Sequence, residues 1–239
     1  MNMSRRWAIA LTSDDEIDLK IAREIFKIGE PSVGEITVSA TGRVVTVLFS
    51  EQLDKLSAAS DVADASERFI DAINGICLIN DEARSPLQAG AVHARLASGG
   101  WDGGTVFASV DFHMTSRITA FALVVGEDGK ILPDPQSRQS MWLQTAMMDQ
   151  NAIDVLTYLR GTPDWFLLYK AYEAMRADGG PAAGWPDTNR FSRSANIHRH
   201  FAGHSAAKQT PDKPFVPMQL NEAIGFVRSL ARLWLDSKV

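Results

Sequence analysis

Between Thr188 and Pro211 the chain carries four cations (Arg190, Arg193, Arg199 and Lys208) and no acid, although the whole protein has a formal net charge of −5. Three of its five histidines, His198, His200 and His204, fall in the same stretch. A solvated helix face usually mixes signs, because opposite charges four apart offset repulsion. This one does not. At about 3.6 residues per turn, Arg193 and His200 nearly superimpose on a helix, with Asn196 between them. Arg199 adds a second guanidinium beside His200. A base that titrates near neutrality can take the proton of an RNA 2′-hydroxyl. A planar, permanent cation can stabilise the charge developing on phosphorus, and an amide can orient either group. The chemistry this predicts is RNA cleavage without a metal, leaving 2′,3′-cyclic phosphate ends.

Other readings of the same residues are weaker. His200 and His204 have the four-residue spacing of metal ligands, but neighbouring arginines repel a cation and no carboxylate lies nearby in sequence. A metal-dependent phosphoesterase is therefore not expected, and neither metal nor cofactor is assigned. A non-catalytic module that binds RNA, a nucleotide or a protein through the basic helix is the alternative. Phe191, Ala195 and His198 point away from the stripe, so His198 is expected on the aromatic side, satisfied and at least half-buried. Asp111 and His113 share one strand face, which is too few ligands for a metal site. Cys77, the only cysteine, lies in the apolar run Ile76-Cys77-Leu78-Ile79 and reads as a small hydrophobe. The loop Gly99-Gly100-Trp101-Asp102-Gly103-Gly104 lacks the Lys-Ser/Thr of a phosphate loop and has a strand after it, so it reads as a flexible strand connection.

The elements that must position this helix change character along the chain. Residues 7–12 predict a strand, and Ser13 with Glu16 predicts a capped helix carrying Ile17, Ile21 and Ile25. Residues 35–40 and 43–50 form a hairpin pattern around Thr41-Gly42. Helical spacing returns over 61–79. Three further strands are expected at about 87–97, 105–114 and 117–125, with a hairpin turn at Glu127-Asp128-Gly129-Lys130. Connections this short require a largely antiparallel sheet. The fold class is α+β, an antiparallel sheet with two helices followed by a C-terminal four-helix bundle.

Pro133, Pro135 and the polar residues to Gln139 mark a linker, dividing the chain into an α+β domain of unknown role at 1–132 and a helical domain at 138–239. One long helix is expected from Trp142 to Leu159. Thr162 caps a second, with Pro163 at its first position and Trp165, Leu168, Tyr169, Tyr172 and Met175 as its buried stripe. Asp187 caps the third, which is the Arg/His-rich helix. The fourth begins near Leu220 and buries Ala223, Ile224, Val227, Leu230 and Trp234.

Composition narrows the class. Hydrophobic residues make up 45% and charged residues 22%, the balance of a globular protein able to build a core. One cysteine rules out an internal disulfide framework. Five apolar residues after Arg5-Arg6 are too few for a secretory signal, and no apolar run is long enough for a membrane span. A cytoplasmic protein is the expectation.

The Arg-to-His spacing on a late helix of a four-helix bundle resembles the HEPN superfamily of bacterial defence and toxin ribonucleases. Arg193–His198 and Arg199–His204 have four intervening residues, and Arg193–His200 has six. The segment from Phe191 through Asn196 to Arg199-His200, with Pro217-Met218-Gln219-Leu220-Asn221-Glu222-Ala223 and Trp234-Leu235, also resembles the C-terminal segments of many uncharacterised bacterial proteins. The resemblance spans about 138–239. It implies Arg193 or Arg199 with His200 as the catalytic pair, Asn196 as the assisting polar residue, RNA or another phosphate-bearing ligand as partner, and a cleft shared by a homodimer.

Overall fold

The computed structural model describes residues 5–80, 85–107, 136–180, 187–199 and 215–239. It is an α+β fold whose described strands form one antiparallel four-stranded sheet. The order along the chain is β1 (Trp7–Thr12), α1 (Glu16–Phe26), β2 (Ser32–Thr37), β3 (Val44–Phe49), α2 (Glu51–Asp54), α3 (Ala59–Ile79) and β4 (Gln88–Ala94). Helices α4 (Arg138–Met148), α5 (Gln150–Tyr158), α6 (Trp165–Ala177), α7 (Thr188–Arg199) and α8 (Leu220–Asp236) follow. The strands lie in the order β2-β3-β1-β4.

Strand β1 shows why its sequence lacks alternation. Trp7 through Leu11 are all buried. Trp7, Ile9 and Leu11 face the main core, while Ala8 faces a smaller cluster with Ile36, Val38, Val47 and Trp101. A strand covered on both faces reads as a continuous apolar run. The β2–β3 hairpin pairs Ser32 with Phe49 and Thr37 with Val44. Gly42, at φ 67°, sits in its turn and donates to the Val38 carbonyl at 2.8 Å.

Helix α3 is buried on two sides. It packs against β1 and β4 on one and against α4, α5 and α8 on the other. One continuous hydrophobic core therefore includes Trp7 and Leu48 from the sheet, Ile73 and Ile76 from α3, and Trp142, Leu156, Phe191 and Trp234 from the later helices. The start of α4 is fastened to the N-terminal half. Ser137 donates to the Ile25 carbonyl at 2.6 Å, Ser140 donates to that of Ile28, and Ser137 caps α4. Trp142 Nε1 donates to Asp236 at 3.1 Å, and Arg138 pairs with the same carboxylate. The proline-containing stretch at 133–135 lies outside the described residues.

Several boundaries differ from expectation where an aspartate accepts the first free amides of a helix. The single helix expected over 142–159 is two, α4 and α5, because Asp149 is extended (φ −126°, ψ 111°) and accepts from Asn151 N and Ala152 N. Asp164 rather than Thr162 caps α6, and Asp15 rather than Ser13 caps α1. The N-terminal half also gains α2, capped by Ser50. The strand expected from 105 begins with an antiparallel bridge between Thr105 and Val92. The rest of it, the strand at 117–125 and the turn at 127–130 lie outside the described residues.

The end of α8 is held by charge. Lys238 Nζ lies 2.6 Å from Asp149 and 2.5 Å from Asp178, and 4.6 Å from the centre of the Trp234 ring. Hydrogen bonding from Lys238 holds the Asp178 carboxyl below the usual range, against desolvation and with help from Asn151 and Trp234. Desolvation opposes the charge on Lys238, but the two carboxylates outweigh it and raise its pKa.

Two measurements check this packing. A Cβ on Gly75 would lie 2.3 Å from the Leu156 carbonyl oxygen, whereas one on Gly225 in α8 would meet nothing within 4 Å. In urea denaturation, Gly75→Ala should lose about 1–3 kcal/mol through overpacking. Gly225→Ala should gain about 0.5–1 kcal/mol from helix propensity. The second measurement is pH-dependent stability of Lys238→Met, which keeps the apolar stem and removes the ammonium. The wild-type advantage should be full between pH about 4 and about 10. It should shrink as pH falls through the depressed Asp178 value and as pH rises through the raised Lys238 value. A difference that stays flat across both limits would exclude the ion pair as its source.

Candidate functional site

Helix α7 is anchored by an apolar edge at helical spacing. Phe191, Ser194 and Ala195 are buried. The Phe191 ring meets Tyr172 edge-on at 5.2 Å and Phe226 at 5.3 Å, with Trp165 and Tyr169 beyond. Ser194 donates to the Arg190 carbonyl at 2.8 Å and accepts from Met218 N at 2.8 Å, so a buried hydroxyl is satisfied in both roles. Asp187, at φ 58°, precedes the helix and its carbonyl accepts from Phe191 N.

Arg190 belongs to this anchor. It grips the Glu222 carboxylate with both terminal nitrogens and donates Nε to the Val216 carbonyl at 3.1 Å. The hydrogen bonds from Arg190 hold the Glu222 carboxyl below its ordinary value. One of the four cations of the stretch thus fixes α7 to the start of α8.

Arg193 and Asn196 are exposed and Arg199 is half-buried. The Arg193 guanidinium lies 3.9 Å from the centre of the Phe215 ring, and that of Arg199 lies 3.8 Å from the centre of the Tyr169 ring. Stacking on a ring leaves the edge donors of a guanidinium free to meet an anion. Among the described residues, no carboxylate pairs with Arg193 or Arg199. The helix thus presents Arg193, Asn196 and Arg199 over an arc of about 120°. Arg193 leans toward the segment before α8 and Arg199 toward α6. His200, His204 and Lys208 lie outside the described residues, as do Asp111 and His113.

His198 does face the aromatic side, its ring parallel to that of Trp165 (10°) at 4.6 Å. It is exposed, however, contrary to the expected half-burial. It covers the end of the aromatic stripe instead of entering it. The α6 stripe is also less buried than expected. Leu168, Tyr172 and Met175 are core residues, but Trp165 and Tyr169 are half-buried. Sequence spacing marked these rings as core. It could not show that α7 would leave two of them partly open under a histidine and an arginine. The result is a surface of stacked rings and cations along α6 and α7.

Elsewhere, the 99–104 loop connects strand segments as expected, and it is tied down. Trp101 is buried, and the Asp102 carboxylate accepts from Ala94 N and Gly104 N, both at 3.0 Å. The described residues contain no group of three potential metal ligands and no helix long and apolar enough to cross a membrane. The chain matches no family model, no curated protein and no solved structure.

The anchor and the stack should separate energetically. Phe191→Ala should cost about 3–5 kcal/mol as a buried aromatic deletion. His198→Ala should cost about 0.5–1 kcal/mol, the worth of one aromatic pair at the surface. Equal costs in urea denaturation would mean that His198 is part of the core.

Proposed function

We propose that this protein binds RNA across α6 and α7 and cleaves it without a metal, as an endoribonuclease of HEPN-like type. The observation that supports binding is the stacking of polar side chains on flat rings: Arg199 over Tyr169, His198 over Trp165, and Arg193 and Asn196 exposed beside them. Phosphates meet guanidinium forks, and unpaired bases stack on rings. Cleavage adds His200 as the base or acid, Arg193 or Arg199 as the phosphate clamp, and Asn196 as the orienting amide. On this reading the C-terminal helices act as a HEPN-like bundle, and two copies place their Arg/His helices across a shared cleft.

A second reading, a non-catalytic RNA-, nucleotide- or protein-binding module, is favoured by one observation. Both arginines already rest on rings of their own chain, an arrangement that suits a fixed binding surface.

The test uses the full chain with a labelled single-stranded RNA in EDTA, following anisotropy and product ends together. Arg193→Ala and Arg199→Ala should each weaken binding about tenfold and flatten its salt dependence. His200→Ala should abolish cleavage while leaving binding intact. Binding without cyclic-phosphate ends in the wild type, or equal cleavage by His200→Ala, would leave the binding module. No salt-dependent binding would overturn the ribonuclease and RNA-binding readings and leave a nucleotide- or protein-binding module.

A further inference from the structure

The loop that follows β4 joins the two outer strands of the sheet. Trp101 forms a parallel bridge with Val38, just beyond β2, and an antiparallel bridge with Arg95, just beyond β4. Val38 N donates to the Arg43 carbonyl at 2.9 Å, which carries the β2–β3 register one pair further. Arg43, Val38, Trp101 and Arg95 therefore lie side by side on four neighbouring segments. Neighbours in a sheet are about 4.8 Å apart, so about 14 Å separates the backbones of the two arginines. Residues opposite each other on paired strands share a face, which puts both arginines on the side of Val38 and Trp101.

The two stretches that meet here, residues 36–50 and 85–101, carry no acid. The acids that border them are engaged. Glu35 pairs with Arg23, and the Asp102 carboxylate accepts from Ala94 N and Gly104 N. Arg43 and Arg95 are exposed, and among the described residues no carboxylate pairs with either. The Arg95 guanidinium lies 4.9 Å from the centre of the Trp101 ring, which leaves its edge donors to an anion. Arg6, opposite Arg95, takes no part, because its guanidinium turns to the Ser57 carbonyl and the Trp7 ring.

The base on which these cations stand is fixed. Ser39 Oγ accepts from Trp101 N at 3.1 Å, and Ser39 N donates to the Trp101 carbonyl at 3.0 Å. A Cβ on Gly100 would collide with the Ser39 hydroxyl, so the two loops touch only because glycine stands there. Ser39, Thr41 and Ser98 are exposed around the arginines. Guanidiniums and hydroxyls are the side chains that position a nucleic-acid backbone.

We propose that Arg43 and Arg95 form a second contact for the phosphate backbone of RNA, so that a long strand is gripped by the sheet as well as by α6 and α7. Two cations held apart across a ring suit an anion that repeats along a chain. The ligand is taken from the RNA reading of α6 and α7, but the residues are separate, since all of them lie before α4.

The experiment measures anisotropy of the full chain with a labelled single-stranded RNA of about 30 nucleotides, roughly two single-strand site sizes, over a salt series. The double variant Arg43→Ala/Arg95→Ala should bind about tenfold more weakly and lower the slope of log affinity against log salt by about 1.4. Arg43→Lys/Arg95→Lys should keep the slope. Arg68→Ala, which removes an exposed cation on α3, should bind as the wild type does. Unchanged circular dichroism shows that each variant is folded. Wild-type affinity and slope in the Arg43→Ala/Arg95→Ala variant would overturn the second contact. A loss matched by Arg68→Ala would overturn it too, since net charge alone would then explain the effect. A loss in this pair with none in Arg193→Ala/Arg199→Ala would uphold the sheet contact and overturn the α6–α7 surface.

Discussion

Where α3 crosses α5, Gly75 brings the backbones of two helices into direct contact at Leu156, with no room for a methyl group between them. Most of the architecture follows from that approach. A helix of 21 residues carries the sheet on one side and the later helices on the other. Closeness at Gly75 allows Ile73 and Ile76 to join the sheet side to Leu156 and its neighbours in one core. The loss of helix propensity at a mid-helix glycine, about 1 kcal/mol, is small against the packing it admits. The same contact brings the α5–α6 connection alongside the end of α3, which is how two distant segments come to wall one cleft.

How much of this was legible in the sequence depends on the range of the interaction that decides each feature. Strand β1, the hairpin, α3 and α8 were all readable, because composition and period settle them locally. Asp149 was misread because Met147-Met148 on one side and Ala152-Ile153 on the other continue the helical period straight through it. The break depends on a side chain turning back to two amides and then meeting Lys238, at the far end of the chain. At Ser13 and Thr162 the cap motif was recognised, but the aspartate two residues later accepts the first free amides.

The site shows the same division. Exposure of Arg193 and Asn196 follows from their position opposite Phe191 and Ala195, which the helical period contains. That Arg190 would be spent on Glu222 does not follow from period or composition. Nor does the roof that His198 and Arg199 form over Trp165 and Tyr169. These contacts join residues about 30 apart through the crossing of α6, α7 and α8, and only that crossing decides which cations remain available. A charge run in sequence is an inventory. The fold allocates it.

Helix α8 is a rod of 17 residues held at both ends, by Arg190 on Glu222 near its start and by Arg138 on Asp236 at its finish. A helix so clamped holds both of its faces in fixed register: the ion pairs that set Glu222 against the arginine of α7 also set Ile224 and Arg228, about 200° round the helix, against the end of α3. Two surfaces facing opposite ways are in this sense opposite flanks of one axle.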